Sequence, residues 1–391
     1  MVTTDRERTQ QRHAQLRAEA ARVLAPFDLD YWRAMDKAES HPQAFVDACI
    51  AAGWHGAIIP PEYGGSGWSV SDAAVLLGAV AESGAGTSGA SPLHLAFFAP
   101  LPIIRHGRQA LKDELLPQLA RGECLLAFGV TEADAGIDTS RITSIAERRG
   151  GRWVLHGSKA WLSNGANAQH ALLLVRTAPR DPAAPLMGMT LFCVELDPAH
   201  CELTYIDKLG RNAAGSWSIA FDGLEATADQ VIGEVGRGFY HLLDGLNPER
   251  IVIATEAIGI GRKALALATD YARERVVFDA PIGSNQGIAH PLARAWAELR
   301  AAELLAMEAA ALYDAGLPCG AEANAAKLLA SDAGFNAADA AMQTFGGRGY
   351  AKDWHIERLW REVRLYRIVP ITQEMVLNYL AEHVLNLPKS Y

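Results

Sequence analysis

The chain has 391 residues, half of them hydrophobic and 21% charged, a balance that excludes a disordered polymer and allows a large core. Its 36 basic against 45 acidic side chains leave a net charge of −9, without the basic footprint of a nucleic-acid binder. Five scattered cysteines with no Cys-x-x-Cys pair suggest neither a disulfide framework nor a zinc site, and a reducing cytoplasm is the default compartment. No apolar run reaches the roughly 18 residues of a membrane span. The charge-mixed stretch Met1 to Ala25 reads as a polar helix and not as a secretion signal.

Taken in chain order, residues 1–122 predict helices. Ala73 to Glu82 has helical apolar spacing, and the breaker-dense Pro60-Pro61-Glu62-Tyr63-Gly64-Gly65-Ser66-Gly67 predicts a loop. The texture changes over 123–235. Gly150-Gly151 between Thr143–Arg148 and Trp153–His156 predicts a hairpin, and short apolar runs follow at Ala171–Val175, Met189–Leu196 and Ile219–Phe221. From 236 to 391 the pattern is helical again. Asn247-Pro248-Glu249 predicts a helix start, with Asn as cap and Pro in the first turn, followed by an apolar face at Ile251, Ala254, Ile258, Leu265 and Ala268. Two or three further helices are expected, interrupted at Gly346-Gly347-Arg348-Gly349. The resulting expectation is mainly α with a central β domain, split at about 122 and 235.

Gly259-Ile260-Gly261 lacks the third glycine of a dinucleotide fingerprint and has no strand before it, so close helix packing is the better account. Gly129-Val130-Thr131-Glu132-Ala133-Asp134-Ala135-Gly136-Ile137-Asp138 concentrates a hydroxyl, carboxylates and glycines where the helical and β blocks meet, a usual place for a cofactor, although a connecting turn explains it equally well. Lys159-Ala160-Trp161-Leu162-Ser163-Asn164-Gly165 reads as a strand and turn, and a lone tryptophan there is more often core than a cofactor contact.

Together with Arg275-Val276-Val277-Phe278 and Gln343-Thr344-Phe345-Gly346-Gly347-Arg348-Gly349-Tyr350, these segments resemble the acyl-CoA dehydrogenase family. The resemblance runs from about Ala51 to the C-terminus. Gln343, Gly346, Gly347, Gly349, Tyr350, Asp353, Arg358 and Glu362 all keep the spacing of the family's C-terminal signature, while Ile137 stands where Ser or Thr is usual. The resemblance implies a helical N-terminal domain, a barrel-like β middle domain and a C-terminal four-helix bundle, assembled as a homotetramer or homodimer. It also implies FAD, an acyl-CoA substrate and an electron-transferring flavoprotein as acceptor. By residue match, Thr131 and Ser163 hydrogen-bond the flavin and Trp161 packs on its ring. Arg275 contacts the pyrophosphate from the partner subunit, and Gln343, Gly346 and Gly347 line the far end of that cofactor. Phe278, Gln286, Thr372 and Glu374 complete its contacts, with Arg250 and Val369 beside the substrate.

The family's chemistry needs a carboxylate to take the acyl α-proton while a hydride leaves the β-carbon. The usual glutamate position holds Pro370, which is no base and has no N–H to hold the substrate carbonyl. Some branches place the glutamate instead near the start of the helix that opens the C-terminal domain, and the match there is Glu249. A glutamate in a first helical turn has a simpler use, complementing the dipole, and Glu374 and Glu256 are weaker rivals for the base. Other readings keep the fold and change the function: a dehydrogenase acting on a carrier-protein thioester, a flavin monooxygenase-like relative, or a degenerate paralogue acting as a binding subunit. Purified protein is expected to be yellow, and Arg275→Ala to weaken FAD retention by about 1.5–3 kcal/mol, measured as flavin loss on dilution.

Overall fold

The computed structural model describes residues 5–389, so Met1–Thr4 of the expected N-terminal helix and Ser390-Tyr391 lie outside the described residues. Seven helices come first: α1 (Asp5–Leu24), α2 (Leu29–Ala38), α3 (Gln43–Ala51), α4 (Val70–Val80), α5 (Gly86–Phe98), α6 (Pro100–His106) and α7 (Gln109–Ala120). Ser69 caps α4 by accepting the Asp72 N–H. Between α4 and α5 the chain makes a wide turn through Ala81–Ala85, with Gly84 at φ 108° and Gly86 at φ 59°. Glycine is required at both, and a Cβ on Gly86 would lie 2.2 Å from the Glu362 Oε2.

Eight strands follow: β1 (Leu126–Gly129), β2 (Ile145–Arg149), β3 (Arg152–Ser163), β4 (His170–Arg176), β5 (Met189–Glu195), β6 (Cys201–Tyr205), β7 (Ser216–Ala226) and β8 (Val231–Ile232). They hydrogen-bond in the order β6-β7-β3-β2-β4-β5-β8, with β1 beside β4. The Gly150-Gly151 hairpin forms as expected, pairing Arg149 with Arg152 while both glycines take positive φ. Strands β4 and β5 are buried on both faces, which explains their unbroken Leu and Val runs. One face packs Leu172, Leu174 and Leu191 against Ile103 of α6 and Leu115 and Leu119 of α7.

The last third is built on α8 (Gly238–Glu274), α9 (Gln286–Asp314) and α10 (Gly320–Phe345), completed by α11 (Ile356–Arg364) and α12 (Gln373–His383). Among the described residues four α-helices therefore follow α8, not two or three. Buried alanines let the long helices approach closely, and a Cβ on Gly261 would come within 2.9 Å of the Gly334 Cα. The same crowding accounts for Gly259, whose Cβ would meet the Gly78 carbonyl at 2.4 Å. The expected helix start at Asn247-Pro248 is corrected: α8 begins at Gly238 and Pro248 lies inside it. Proline fits a first turn because no N–H is needed there, but here packing of the flanking turns carries the helix through a missing bond.

One buried ion pair ties the two helical blocks together. Arg358 Nη1 lies 3.5 Å from Glu362 Oε1, and its Nη2 donates to the Gly84 carbonyl at 2.6 Å. Glu362 in turn accepts from the Ser88 N–H at 3.2 Å and the Ser88 hydroxyl at 2.8 Å. Both side chains are almost fully buried, so removing either strands the other charge. Glu362→Ala is expected to destabilise the fold by about 3–5 kcal/mol, read from denaturant midpoints, with Glu362→Gln less severe.

Candidate active site

The loop after β1 is held by a buried carboxylate. Glu132 accepts from the Thr143 N–H at 2.7 Å, the Ser144 N–H at 3.1 Å and Lys159 Nζ at 2.7 Å. Burial alone would raise its pKa, but Lys159 and these hydrogen bonds outweigh burial and hold it at about 2, while burial lowers Lys159 to about 8. Glu132 is thus an anchor and not a reacting group. The anchor docks the loop on β3: the Ala160 N–H donates to the Thr131 carbonyl at 2.8 Å. Thr131, Trp161 and Ser163 accordingly share one neighbourhood. Trp161 sits at φ 64° and is 57% exposed, so it is not a core residue, and the chain turns after Ser163 through Asn164 as expected.

A second polar group is assembled on α8. Glu249 lies eleven residues inside the helix, buried, far from any end whose dipole it could complement. His94 of α5 stands between two carboxylates, with Nε2 at 3.8 Å from Glu249 Oε1 and Nδ1 at 2.9 Å from Glu256 Oε1. The first distance is an ion pair without a hydrogen bond; the second is both. The Tyr366 hydroxyl donates to the other Glu256 oxygen at 2.7 Å. Glu256, a weaker candidate for the base, is therefore fully engaged in structure, whereas Glu249 has an oxygen to spare. Burial would lower the His94 pKa, but Glu256 and Glu249 prevail and raise it to about 9.

Next to Glu249, Arg250 donates to Asn247 at 3.3 Å and leaves its buried Nε without a partner. Burial, and then the Arg250 charge, lower Lys327 to about 8, and its Nζ donates to the Ile371 carbonyl at 2.7 Å. Val369 and Pro370 precede that carbonyl, so Lys327 ties their loop to α10. Thr372 is the residue before α12, and Glu374 lies exposed in its first turn.

The remaining expected cofactor residues lie at the end of α8 and on the elements that follow it. Arg275 ends α8, and Phe278 is 97% exposed at the tip of the hairpin formed by β9 (Val276–Val277) and β10 (Ala280–Pro281). Gln286 opens α9. Gln343 is exposed near the end of α10, followed by Gly346 at φ 59° and Gly347, both with open space where a Cβ would stand. Ile137 is 55% exposed.

Residues 10–123, 127–224 and 236–385 match in turn the N-terminal, middle and C-terminal domains of acyl-CoA dehydrogenase. The chain belongs to the acyl-CoA dehydrogenase family. It is 35% identical, over the whole of both chains, to the acyl-CoA dehydrogenase fadE12 of Mycobacterium bovis. It is also 33% identical to the glutaryl-CoA dehydrogenase of Desulfococcus multivorans, covering 81% of this chain and 82% of that one. Among solved structures, butyryl-CoA dehydrogenase from Megasphaera elsdenii superposes with a TM-score of 0.89 at 28% identity, over 98% of this chain and 99% of that one.

The protein is therefore an oxidoreductase of the acyl-CoA dehydrogenase type, and its cofactor is FAD. The residues present fit that group: the exposed Trp161 ring offers a flat apolar face, Thr131 and Ser163 offer hydroxyls, and the open glycines at 346 and 347 allow backbone to approach a diphosphate. Among the described residues no helix is long and apolar enough to cross a membrane.

Sequence reasoning missed His94, Tyr366, Lys327 and Arg211. None of the four stands in a spaced motif, and a lone polar residue in an apolar helix such as α5 carries no signal by itself.

His94 makes stability pH-dependent with a definite sign. Its folded pKa of about 9 lies above the ordinary 6.5, so its contribution is complete below about pH 6.5 and is lost as pH rises through about 9. The stability gap between wild type and His94→Asn should be about 3 kcal/mol in acid and should close above that window, checked by denaturation at several pH values.

Proposed function

We propose that the enzyme converts an acyl-CoA thioester to its trans-2-enoyl product, with Glu249 taking the α-proton. The observation that carries this reading is the placement of Glu249. It is a buried carboxylate in mid-helix, held near one imidazole and free of the roles that absorb Glu132, Glu256 and Glu362. Pro370 closes the alternative position, and Glu374 is exposed on the first turn of α12.

Bound FAD supplies the acceptor for the hydride that leaves the β-carbon. The chain's own groups do the rest. Glu249 accepts the proton on the oxygen that His94 does not crowd. His94, held between Glu249 and Glu256, fixes the position of Glu249 from one side. Arg250 brings a second positive charge beside the base, and its unpartnered Nε is a donor for a substrate oxygen. Pro370 offers no amide, so a carbonyl contact in that loop falls to Ile371 or Thr372, whose backbone Lys327 fixes. Val369 leaves room next to that contact.

The bare Phe278 ring at the tip of the hairpin that follows Arg275 supports a homo-oligomer in which one subunit's hairpin completes the cofactor site of another. The same reading gives an electron-transferring flavoprotein as electron acceptor.

Glu249→Gln preserves size and removes basicity. It should keep its FAD and slow flavin bleaching by a panel of acyl-CoAs under anaerobic conditions by at least roughly two orders of magnitude. Bleaching at the wild-type rate would move the base to another residue. A wild-type flavin that no acyl-CoA bleaches, but that reacts with oxygen once reduced, would favour monooxygenase-like chemistry.

A further inference from the structure

Arg211 is a charged side chain that neither the family signature nor the proposed proton transfer uses. It lies in the loop between β6 and β7 at φ 61° and is partly buried. Among the described residues no carboxylate comes within ion-pair distance of it. Tyr366, Glu362, Glu256 and Tyr205 act on it only from further off, and the two carboxylates among them are engaged elsewhere, Glu362 with Arg358 and Ser88 and Glu256 with His94 and Tyr366. A guanidinium placed inside a protein without a counter-ion is expensive, so its surroundings bear on its use.

Those surroundings are three serine hydroxyls. Nη1 donates to Ser91 at 3.1 Å and to Ser163 at 3.0 Å; Nη2 donates to Ser163 at 3.0 Å and to Ser216 at 2.6 Å. Ser163 and Ser216 are paired across β3 and β7, which fixes the spacing of two of the three. The Ser163 oxygen therefore sits in the fork of the guanidinium and receives an N–H from each arm, where a carboxylate would ordinarily sit. A hydroxyl has two lone pairs and one hydrogen. With both lone pairs taken, the Ser163 hydrogen points away from Arg211, and among the described residues none accepts it.

We propose that Arg211 is a positioning residue that turns Ser163 into a one-way hydrogen-bond donor, backed by positive charge, toward the FAD. This rests on the reading that Ser163 faces the flavin. A donor reinforced by a cation favours the more electron-rich form of its acceptor, so the pair stabilises reduced over oxidised flavin and raises the potential of the bound cofactor. Ser91 extends the same guanidinium to α5, one turn before His94, so the groups that serve proton removal and electron acceptance are mounted on one helix.

The test is the midpoint potential of FAD in the purified holoenzyme, titrated against a reference dye in wild type, Arg211→Gln, Arg211→Lys, Ser163→Ala and the Gln/Ala double variant. Arg211→Gln should shift the reduction equilibrium by about tenfold toward oxidised flavin, which is about 30 mV for two electrons. Arg211→Lys keeps the charge without the fork and should fall between. Ser163→Ala should lower the potential in the same direction, and adding Arg211→Gln to it should change little, because the charge acts through the hydroxyl. An Arg211→Gln holoenzyme with the wild-type potential overturns the proposal, as does a full Arg211→Gln effect that persists without Ser163. If Arg211→Gln does not retain FAD, Arg211→Lys and Ser163→Ala decide by the same comparison, and a wild-type potential in both overturns the proposal. No effect from Ser163→Ala, with Arg211→Gln still active, removes Ser163 from the flavin. Loss of thioester bleaching leaves these potentials readable, so failure of the proposed reaction is distinguishable.

Discussion

The Arg358–Glu362 pair is the constraint on which the site depends. It is made within one turn of α11, yet its outer hydrogen bonds all go to the joint between α4 and α5, at Gly84 and Ser88. That joint sets the direction of α5, and α5 carries Ser91 and His94. A change of a few degrees there would move the imidazole out of reach of Glu249, whose 3.8 Å separation leaves no slack for a shorter helix or a bulkier turn. Gly86 is the tightest expression of this: the glutamate oxygen occupies the space its side chain would need. Two residues recognisable as part of a signature are thus structural, and they matter to chemistry by aiming a helix.

The charges around Glu249 follow a pattern that burial enforces. Deep carboxylates are tolerated when paired and hydrogen-bonded. Glu132 has Lys159, the N–H and hydroxyl of Thr143 and the Ser144 N–H, Glu362 has Arg358 and Ser88, and Glu256 has His94 and Tyr366. Glu249 alone of these keeps only a long contact to its cation. Incomplete pairing is a stability loss in a scaffold, and it is also what a proton acceptor requires, since a carboxylate saturated with donors is a poor base.

Much of the fold was legible because its signals are periodic or spaced. The Gly150-Gly151 hairpin, the buried Leu and Val runs of β4 and β5, and the signature from Gln343 to Glu362 each depend on several residues in register. Pro248 misled because proline and asparagine at a helix start look the same locally as proline inside a helix that neighbouring turns hold together; the difference lies in packing, not in the segment. Inside α8, Glu249 has no helix end whose dipole it could complement. His94 and Arg211 were invisible for another reason. Each draws its meaning from partners on other elements: Glu249 and Glu256 for one, Ser91, Ser163 and Ser216 for the other.

Pro248 also bears on how the helix around Glu249 yields to strain. With no N–H to offer, it leaves a carbonyl of the preceding turn unbonded within the helix. The rung just before Glu249 is therefore absent from the ladder of α8. A helix bends most easily where a rung is gone, so in this 37-residue rod the natural place to bend is the turn that carries Glu249, ahead of the stretch packed by buried alanines from Ala254 onward. The rod is thus less a uniform beam than a lever with its missing rung near one end, and Glu249 is the side chain mounted beside that gap.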